Sequence, residues 1–139
     1  MIVLDTNVLS VLMIDAGDPA VLAWLDDQAI ESVWTTTITT FEVRFGLQTM
    51  PEGRRRTRFE LAFERLVSED LQDRVLSFDG EAANAAARLA AIRRRSGRPV
   101  EIRDAQIAGI VAVRRATLAT RNVRDFEGLD LRVVNPWSP

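Results

Sequence analysis

The sequence predicts a three-layer α/β/α fold with a short, mostly parallel sheet. Short apolar runs typical of buried strands alternate with amphipathic or Ala-rich segments typical of helices along the chain. Parallel strands need crossovers, which are usually helical, so the alternation favours a sheet covered on both faces. No repeat, low-complexity segment or linker interrupts the 139 residues. We therefore expect one domain over residues 1–139.

The first predicted strand is the apolar run Ile2–Leu4, which is followed directly by Asp5. An amphipathic helix begins at once from Val8, and Asp18 with Pro19 marks the start of a second helix. In open α/β sheets, ligands bind in the crevice outside the carboxyl ends of the strands. Asp5 is therefore a candidate site residue, although its position also suits a simple helix cap.

The middle of the chain predicts two further strands separated by two helices. A short strand is expected over 32–35, and a helix over 36–47 carries Glu42 among inward-facing residues that are otherwise apolar. After a Pro-Glu-Gly break, a long amphipathic helix is expected over 54–67, followed by a strand over 74–78. Glu42 is a second candidate site residue, unless it lies on a solvated stripe.

Two helices are predicted next, and the second should be buried. An Ala-rich helix capped by Asp79 ends in an arginine run near 95 and is stopped by Gly97. The segment 103–113 is apolar nearly all round, which is typical of a buried helix. Asp104, in its first turn, is either a site residue or only an N-cap.

The last predicted elements are two strands with a turn between them. A strand over 117–120 leads into a loop or single turn that carries Asn122 and Asp125, and a final strand is expected over 131–134. Because the carboxyl ends of parallel strands share one edge of a sheet, this turn and the residue after the first strand can face the same crevice.

Missing residue types restrict the chemistry that is available. The chain has no Cys, His, Lys or Tyr, and all 18 basic residues are Arg. Disulfides, thiolate zinc sites, Cys nucleophiles and Ser-His-Asp chemistry are therefore excluded. Catalysis would rest on carboxylates, hydroxyls, amides or arginines, and such oxygen ligands suit Mg²⁺ or Mn²⁺.

Charge and hydropathy indicate a cytoplasmic protein without a membrane role. The net charge of −2 does not make the whole molecule a polyanion-binding surface. No apolar run approaches the roughly 20 residues that cross a bilayer. No basic region precedes the first apolar run, so we interpret that run as a strand rather than a secretion signal.

The candidate acids would form a metal site if their carboxylates lie close together in the folded chain. Carboxylates within ~4–6 Å of one another raise each other's pKa and destabilise the fold unless a cation neutralises them. With no Lys or His to do so, a cluster would imply bound Mg²⁺ or Mn²⁺. The candidates are Asp5, Glu42, Asp104 and the pair Asn122 and Asp125.

Four segments and the C-terminal Asn-Pro-Trp resemble the PIN-domain nucleases in their order and spacing. The resemblance is narrower to the VapC-type toxins of bacterial toxin–antitoxin pairs, in the FitB-like branch. It runs the full length of the chain, so it is more specific than any single acidic motif. The segments are residues 2–7, 39–46, 104–108 and 118–126, and the closing motif is 135–137.

The resemblance implies a metal-dependent ribonuclease that is usually a homodimer and is neutralised by a small antitoxin, which is also the part expected to bind DNA. Asp5, Glu42 and Asp104 match the three most regular acids of the family. The fourth acidic position falls on Asn122, whose amide oxygen can still bind a metal or its water. Alternatively, Asp125 supplies the missing charge.

The same resemblance suggests roles for hydroxyls, acids and arginines. Thr6 and Thr120 match hydroxyl positions near the metal or its waters, and Glu42 or Asp125 would accept a proton from the attacking water. Arg44 and Arg121 are expected nearer the substrate phosphate. Two arginine clusters, 54–58 and 93–98, are expected to be solvated helix ends, with RNA contact as the alternative. The aromatic residues Trp24, Phe59 and Phe63 are expected to fill the core.

Three other classes of protein can be compared with the PIN-domain nucleases. A haloacid-dehalogenase-like phosphatase would need a second Asp where Asn7 stands, and a Lys. A receiver-like signalling domain would also need a Lys. A nuclease relic kept as a binding subunit is suggested only by Asn122.

Overall fold

The computed structural model describes residues 1–139 and contains five strands, six α-helices and three short helical turns. No helix combines the length and the apolar character that crossing a membrane requires. The regular elements are β1 (Ile2–Leu4), α1 (Thr6–Leu12), α2 (Pro19–Asp26), β2 (Val33–Thr36), α3 (Thr37–Thr49), α4 (Arg54–Arg65), β3 (Val75–Leu76), α5 (Gly80–Arg95), α6 (Ile102–Arg114), β4 (Thr117–Ala119) and β5 (Arg132–Val134).

All four strand pairs are parallel, and the order across the sheet is β3-β2-β1-β4-β5. The predicted α/β class is confirmed. β1 is the central strand, with Ile2 opposite Val33 of β2 and Thr117 of β4. The connections run outward from β1 in one direction to β2 and β3, and in the other to β4 and β5. The direction of these connections reverses between β1 and β4. The crevice at that point lies outside the carboxyl ends of the two strands.

Side chains alternate between two apolar layers, which confirms the three-layer arrangement. Val3 and Leu118 pack with residues of α5 and α6 on one face of the sheet. Leu4 and Ala119, one position further along the same strands, pack with residues of α1 to α4 on the other face. Successive side chains of a strand point to opposite faces, so each central strand contributes to both cores.

Three aromatic residues were expected in the core, and the structure confirms that expectation. Phe63 is fully buried, and Trp24 and Phe59 pack against the same cluster. Phe41 and Phe45 are different: they are 59% and 57% exposed. Their rings stack on each other with centroids 6.1 Å apart.

The expectation that α3 turns its apolar residues inward was therefore wrong for two positions. The buried residues of α3 are Thr39, Val43 and Leu47, which recur every four residues on one face. Phe41 and Phe45 lie two positions from Val43, which is about 200° around the helix. Hydrophobicity alone could not identify the inward face, because this helix carries apolar residues on both sides.

The helix and strand boundaries differ modestly from those expected. α1 begins at Thr6, directly after the first strand. The long helix after the Pro-Glu-Gly break ends as a π-helical turn over Leu66–Asp70. β3 is only two residues long, because pairing with β2 is limited to Val75 and Leu76. None of these differences alters which residues follow the carboxyl ends of β1 and β4.

Candidate functional site

Asp5 directly follows β1 and is only 5% exposed. Its Oδ1 accepts a hydrogen bond from the Thr6 backbone N–H at 2.8 Å, so Asp5 is the N-cap of α1. Its Oδ2 accepts a second hydrogen bond from the Thr120 hydroxyl at 2.6 Å and a longer one from the Asn7 amide at 3.4 Å. Asp5 therefore caps a helix and also lies in the crevice between β1 and β4.

Burial raises the pKa of the Asp5 carboxyl above its ordinary value. The hydrogen bonds from Thr120, Thr6 and Asn7 lower the pKa in part, and the negative charge of Asp125 raises it further. Hydrogen bonds to the charged form favour ionisation, whereas desolvation and a neighbouring carboxylate oppose it. The metal-free protein thus holds Asp5 in a setting where its negative charge is only partly compensated.

Glu42 lies on the part of α3 that faces α1 and the acids. Burial raises the pKa of the Glu42 carboxyl, the charge of Arg103 lowers it, and the charge of Asp5 raises it. Arg103 Nη1 lies 3.8 Å from Glu42 Oε2, a loose ion pair. Glu42 therefore lies beside the acidic crevice rather than on a fully solvated stripe.

Asp104 lies in the first turn of α6, as the sequence predicts, but it does not cap that helix. The N-cap is Glu101, whose carboxylate accepts hydrogen bonds from the backbone N–H groups of Arg103 and Asp104 at 2.9 and 3.3 Å. The alternative interpretation of Asp104 as a helix cap is therefore wrong. Its carboxylate is free of that task and lies among the other acids.

The pKa of Asp104 is raised to about 7, mainly because its carboxyl is partly buried. The remaining causes are negative charges, in decreasing order those of Asp5, Asp125, Glu101 and Glu42. Three of these belong to the set that the sequence predicts. The fold has therefore brought Asp5, Glu42, Asp104 and Asp125 close enough for their charges to interact.

Asn122 and Asp125 belong to the segment that follows β4, where Val123–Phe126 forms a 3₁₀ turn. The Asn122 backbone N–H donates to the Thr120 hydroxyl at 3.1 Å. The same hydroxyl donates to Asp5, so Thr120 links this segment to β1. Both Asn122 and Asp125 are exposed, and only Asp125 has a negative charge, which raises the pKa of Asp5 and Asp104.

The second predicted hydroxyl, Thr6, lies at the same edge of the crevice. Its Oγ1 donates to Thr39 Oγ1 at 3.3 Å, which joins the first turn of α1 to α3. The Thr6 side chain also lies close enough to Glu42 to lower the pKa of that carboxyl. Thr6 and Thr120 thus lie on opposite sides of Asp5, one toward α3 and one toward β4.

A divalent cation suits the chemistry of this group of side chains. Four carboxylates lie near one another with no Lys or His among them, and burial with the charges of neighbouring acids raises the pKa values of three of them. No three carboxylates converge on a single point as the side chains stand. Mg²⁺ retains several waters and is commonly held by one or two carboxylates, so direct contact from all four is not required.

The two arginines expected near a phosphate lie in different surroundings. Arg44 Cζ is 4.8 Å from the centre of the Phe63 ring, so this guanidinium stacks toward α4 and does not join the acids. Arg121 Cζ is 5.0 Å from the Trp137 ring. The Arg121 backbone N–H donates to Asn7 Oδ1 at 3.1 Å, which places Arg121 at the edge of the crevice.

Two residues near the acids were missed by the sequence interpretation. Arg103 is close to both Glu42 and Glu101, with Nε 3.3 Å from Glu101 Oε1. Asn7 donates to Asp5 and also to the Thr120 hydroxyl at 3.4 Å. Asn7 lies within the first family-like segment, which was the available signal, whereas nothing in the sequence distinguishes Arg103 from the other arginines.

The arginine cluster at the end of α5 is only partly solvated. Arg94, Arg95 and Arg98 are exposed, as expected, but Arg93 is only 6% exposed. The expectation was wrong for Arg93 because that residue falls on the buried face of α5. In the other cluster, Arg56 forms an ion pair of 2.6 Å with Glu60.

Comparison with known proteins agrees with the geometry over the whole chain. The family model described as PIN domain matches residues 2–130. The chain is 44% identical to the VapC ribonuclease Y4jK of Sinorhizobium fredii, over 100% of this chain and 99% of that protein. It is 31% identical to Toxin FitB of Neisseria gonorrhoeae, over 99% of each.

Two solved structures superimpose on this fold over nearly their whole length. One, described as FitAB bound to an IR36 DNA fragment, superimposes with a TM-score of 0.91 and 30% identity, covering 100% of this chain and 97% of that one. A second, FitAcB from Neisseria gonorrhoeae, has a TM-score of 0.86 and 32% identity, covering 99% of both chains. The chain belongs to the PIN domain family and, within it, resembles the VapC- and FitB-type toxins.

Proposed function

We propose that the chain is a metal-dependent endoribonuclease and the toxin of a type II toxin–antitoxin pair. The observation that carries the proposal is that Asp5, Glu42, Asp104 and Asp125 lie near the carboxyl edge of the sheet, where burial and the charges of neighbouring acids raise the pKa values of the first three. Neighbouring carboxylates repel one another and destabilise the folded chain, whereas a bound cation would neutralise their charges. The relatives named VapC ribonuclease and Toxin FitB support the same conclusion.

Each residue then has a distinct task in phosphodiester hydrolysis. Asp5, Asp104 and Glu42 would hold Mg²⁺ or Mn²⁺, and Asn122 would contribute a neutral oxygen. The ion, when bound, neutralises developing negative charge and lowers the pKa of a coordinated water. Glu42 or Asp125 accepts the proton of the attacking water.

The hydroxyls and one arginine assist that chemistry. Thr120 holds the Asp5 carboxylate in place through its 2.6 Å hydrogen bond. Thr6 supports Glu42 from the opposite side. Arg121, at the edge of the crevice, is suited to a bidentate contact with an RNA phosphate, because its guanidinium presents several donors in one plane. Arg44 lies too far toward α4 to share that role with the scissile phosphate.

The proposed partners are a small antitoxin, an RNA substrate and a second copy of the chain. One solved structure that resembles this fold is FitAB bound to a DNA fragment, and one relative is named Toxin FitB. We propose that this chain reaches DNA only through its antitoxin, because its net charge is −2 and its crevice is acidic. We also propose that it acts as a homodimer in the cytoplasm, where its RNA substrate would be found. Sedimentation should then give twice the chain mass of 15.6 kDa.

Expression toxicity tests the proposal directly. The wild-type chain should arrest growth of a bacterial host, and co-expression of the short reading frame beside its gene should relieve the arrest. Asp5→Ala and Asp104→Ala should be harmless at equal protein levels, whereas Asp15→Ala, which changes an exposed acid beyond the far end of α1, should remain toxic. Equal toxicity of all four chains would refute the nuclease proposal.

A catalytically weakened binding subunit is the second candidate, favoured by one observation. Asn122 stands where an acid is expected, and it is exposed near the crevice. Calorimetry with Mn²⁺ separates the two candidates, since an active site should bind Mn²⁺ in the wild type and lose that binding in Asp5→Ala. No Mn²⁺ binding by the wild type would favour the binding subunit.

A further inference from the structure

Arg93 lies in the last turn of α5 and is a buried charged residue outside the acidic crevice. It is 6% exposed. The ion pairs of the protein involve Arg56, Arg98 and Arg103 but not Arg93. Burying an ionised group is costly unless hydrogen bonds compensate for the lost water. The hydrogen bonds of the Arg93 guanidinium must therefore compensate for its lost hydration.

The Arg93 guanidinium donates hydrogen bonds to three backbone carbonyl groups. Nε donates to the Arg98 carbonyl at 2.8 Å. Nη1 donates to the carbonyls of Asp125 and Glu127 at 3.0 and 2.7 Å. Hydrogen bonds from an ionised donor are stronger than those between neutral groups. The side chain thus joins the end of α5 to the turn that follows β4.

The turn that carries Asp125 has few other polar ties to the rest of the fold. Two of its backbone hydrogen bonds are internal, from Asp125 N–H to the Asn122 carbonyl at 3.0 Å and from Glu127 N–H to the Arg124 carbonyl at 3.3 Å. Phe126 anchors the turn in the apolar core. Because Arg93 binds the carbonyl of Asp125 itself, it fixes the backbone from which the carboxylate of that residue extends.

We propose that Arg93 is a positioning residue that holds Asp125 beside Asp5 and Asp104. It touches neither substrate nor carboxylate and acts only through the backbone of the turn. The proposal rests on the proposed function, since the place of Asp125 matters only if the acids work together.

A double-mutant comparison of Mn²⁺ affinity tests this role. Calorimetry is performed on the wild type and Arg93→Gln, and again on both in an Asp125→Asn background. With Asp125 present, Arg93→Gln should weaken Mn²⁺ binding about 10-fold, because the Asp125 carboxylate, held near Asp5 and Asp104, adds negative charge beside the ion without having to ligate it. In the Asp125→Asn background the same change should have an effect of less than about twofold, since coupled residues are not additive. Equal weakening in both backgrounds, or none in either, would overturn the proposal.

Control variants separate positioning from general damage. Arg95→Gln changes an exposed arginine at the same end of α5 and should leave Mn²⁺ affinity unchanged. Arg93→Lys keeps the charge but not the fork of donors, so it should give an intermediate loss. Thermal unfolding is followed for every variant, and if Arg93→Gln does not fold, Arg93→Lys provides the same comparison in the two backgrounds.

The proposed function and the positioning role fail in different ways. If Asp5→Asn binds Mn²⁺ as well as the wild type does, the metal-dependent function is wrong. If Asp5→Asn abolishes binding while Arg93→Gln binds normally, the function stands and the positioning role alone is refuted.

Discussion

Individual carboxylates at the sheet edge affect stability as well as chemistry. The pKa of Asp104 is about 7 in the folded protein, against an ordinary value of 3.8. Between these values the folded chain keeps a proton that the unfolded chain has lost, so the free energy of unfolding falls as pH rises. Below about pH 4 this destabilisation is absent, and above about pH 7 it is complete. Metal-free protein should therefore be less stable at pH 8 than at pH 5 as far as this group is concerned.

Replacing Asp104 by Asn should remove that penalty. In metal-free buffer at pH 8, Asp104→Asn should raise Tm by about 3 °C over the wild type, the effect of ~1 kcal/mol in a domain of this size after allowance for solvent screening. At pH 4 the two proteins should melt within about 1 °C of each other, because the wild-type carboxyl is then largely protonated in the folded protein. A rise of the same size at both pH values would contradict the electrostatic explanation.

The Thr120 hydroxyl should matter for metal binding beyond its effect on stability. Thr120→Val removes the 2.6 Å hydrogen bond to the buried Asp5 carboxylate. We expect a loss of about 1–3 kcal/mol in the free energy of unfolding and a weakening of Mn²⁺ binding of about 10-fold. Urea unfolding and calorimetry measure the two effects.

Thr35→Val is a matched control for that change. Thr35 is also fully buried, and its hydroxyl donates to the Leu4 carbonyl at 3.1 Å rather than to a carboxylate. It should lose comparable stability and keep its Mn²⁺ affinity. Similar affinity losses in Thr35→Val and Thr120→Val would show that destabilisation, not contact with Asp5, weakens binding.

The sequence identifies the acidic residues of the site more readily than it identifies the residues that hold them in place. Asp5 and Asp104 could be identified because each interrupts or opens an apolar segment. Arg93 could not be told from Arg94 or Arg95 as part of a charge run. Its only signal is its helical phase, since it lies eleven residues after the buried Ala82, which is close to three full turns.

The close packing of helix α5 on helix α6 depends on small residues in both helices. Gly109 of α6 lies so close to α5 that an added Cβ would meet the Ala82 carbonyl oxygen and would lie 2.7 Å from Ala86 Cβ. The Ala-rich character of α5 predicted a close approach to a neighbouring helix. Gly109 is the position of that approach, and α6 covers one face of the sheet beneath the acids.

Gly109→Ala should therefore destabilise the protein even though Ala is the better helix former. Backbone atoms of α5 cannot move aside without separating the helices, so we expect a loss of about 2–3 kcal/mol, typical of overpacking. Gly46→Ala is the control: Gly46 lies in α3 with nothing within 4 Å of the added Cβ. That variant should gain about 0.5–1 kcal/mol. If urea unfolding shows both variants to be stabilised, the close contact at Gly109 is wrong.

Elements were predictable where the local pattern and the tertiary contacts agree. α6 is apolar on nearly every side and was expected to be buried, as it is. In α3, the apolar residues were expected to face inward together, but only Val43 and Leu47 face the core, while Phe41 and Phe45 are exposed. β3 was expected to be five residues long, whereas only two pair, because strand length is decided by the neighbouring strand and not by the segment itself.

For the whole molecule, the topology explains why distant residues form one site. Asp5 and Thr120 are 115 positions apart in sequence, yet they are hydrogen-bonded because β1 and β4 are adjacent. Alternating strands and helices predicted the class and the parallel sheet. The strand order could not be derived from periodicity, since local pattern does not encode which strands are neighbours. The family resemblance predicted that Asp5, Glu42, Asp104 and Asn122 share one site, but it did not give the strand order.

Metal binding at this edge should stabilise the whole fold in a pH-dependent way. At pH 8, Mn²⁺ at 100 times its Kd should stabilise the folded state by about 2.7 kcal/mol and raise Tm by about 8 °C. The rise should be smaller at pH 5, because the ion must then displace protons from Asp104 and its neighbours. Thermal melts with and without EDTA measure it. A rise in Asp5→Asn as large as in the wild type would place the bound ion elsewhere.

We propose above that the acids gathered by β1, α3, α6 and the turn after β4 form a metal-dependent ribonuclease site. The most direct measurement is cleavage of total bacterial RNA by the purified protein in Mg²⁺ or Mn²⁺ and in EDTA, beside an Asp5→Asn variant whose thermal unfolding shows that it is folded. The wild type should cut RNA only with the metal, and Asp5→Asn should lose the activity by about 100-fold or more, the scale of losing a metal ligand. RNA cleavage that persists in EDTA, or that Asp5→Asn retains in full, would contradict the claim.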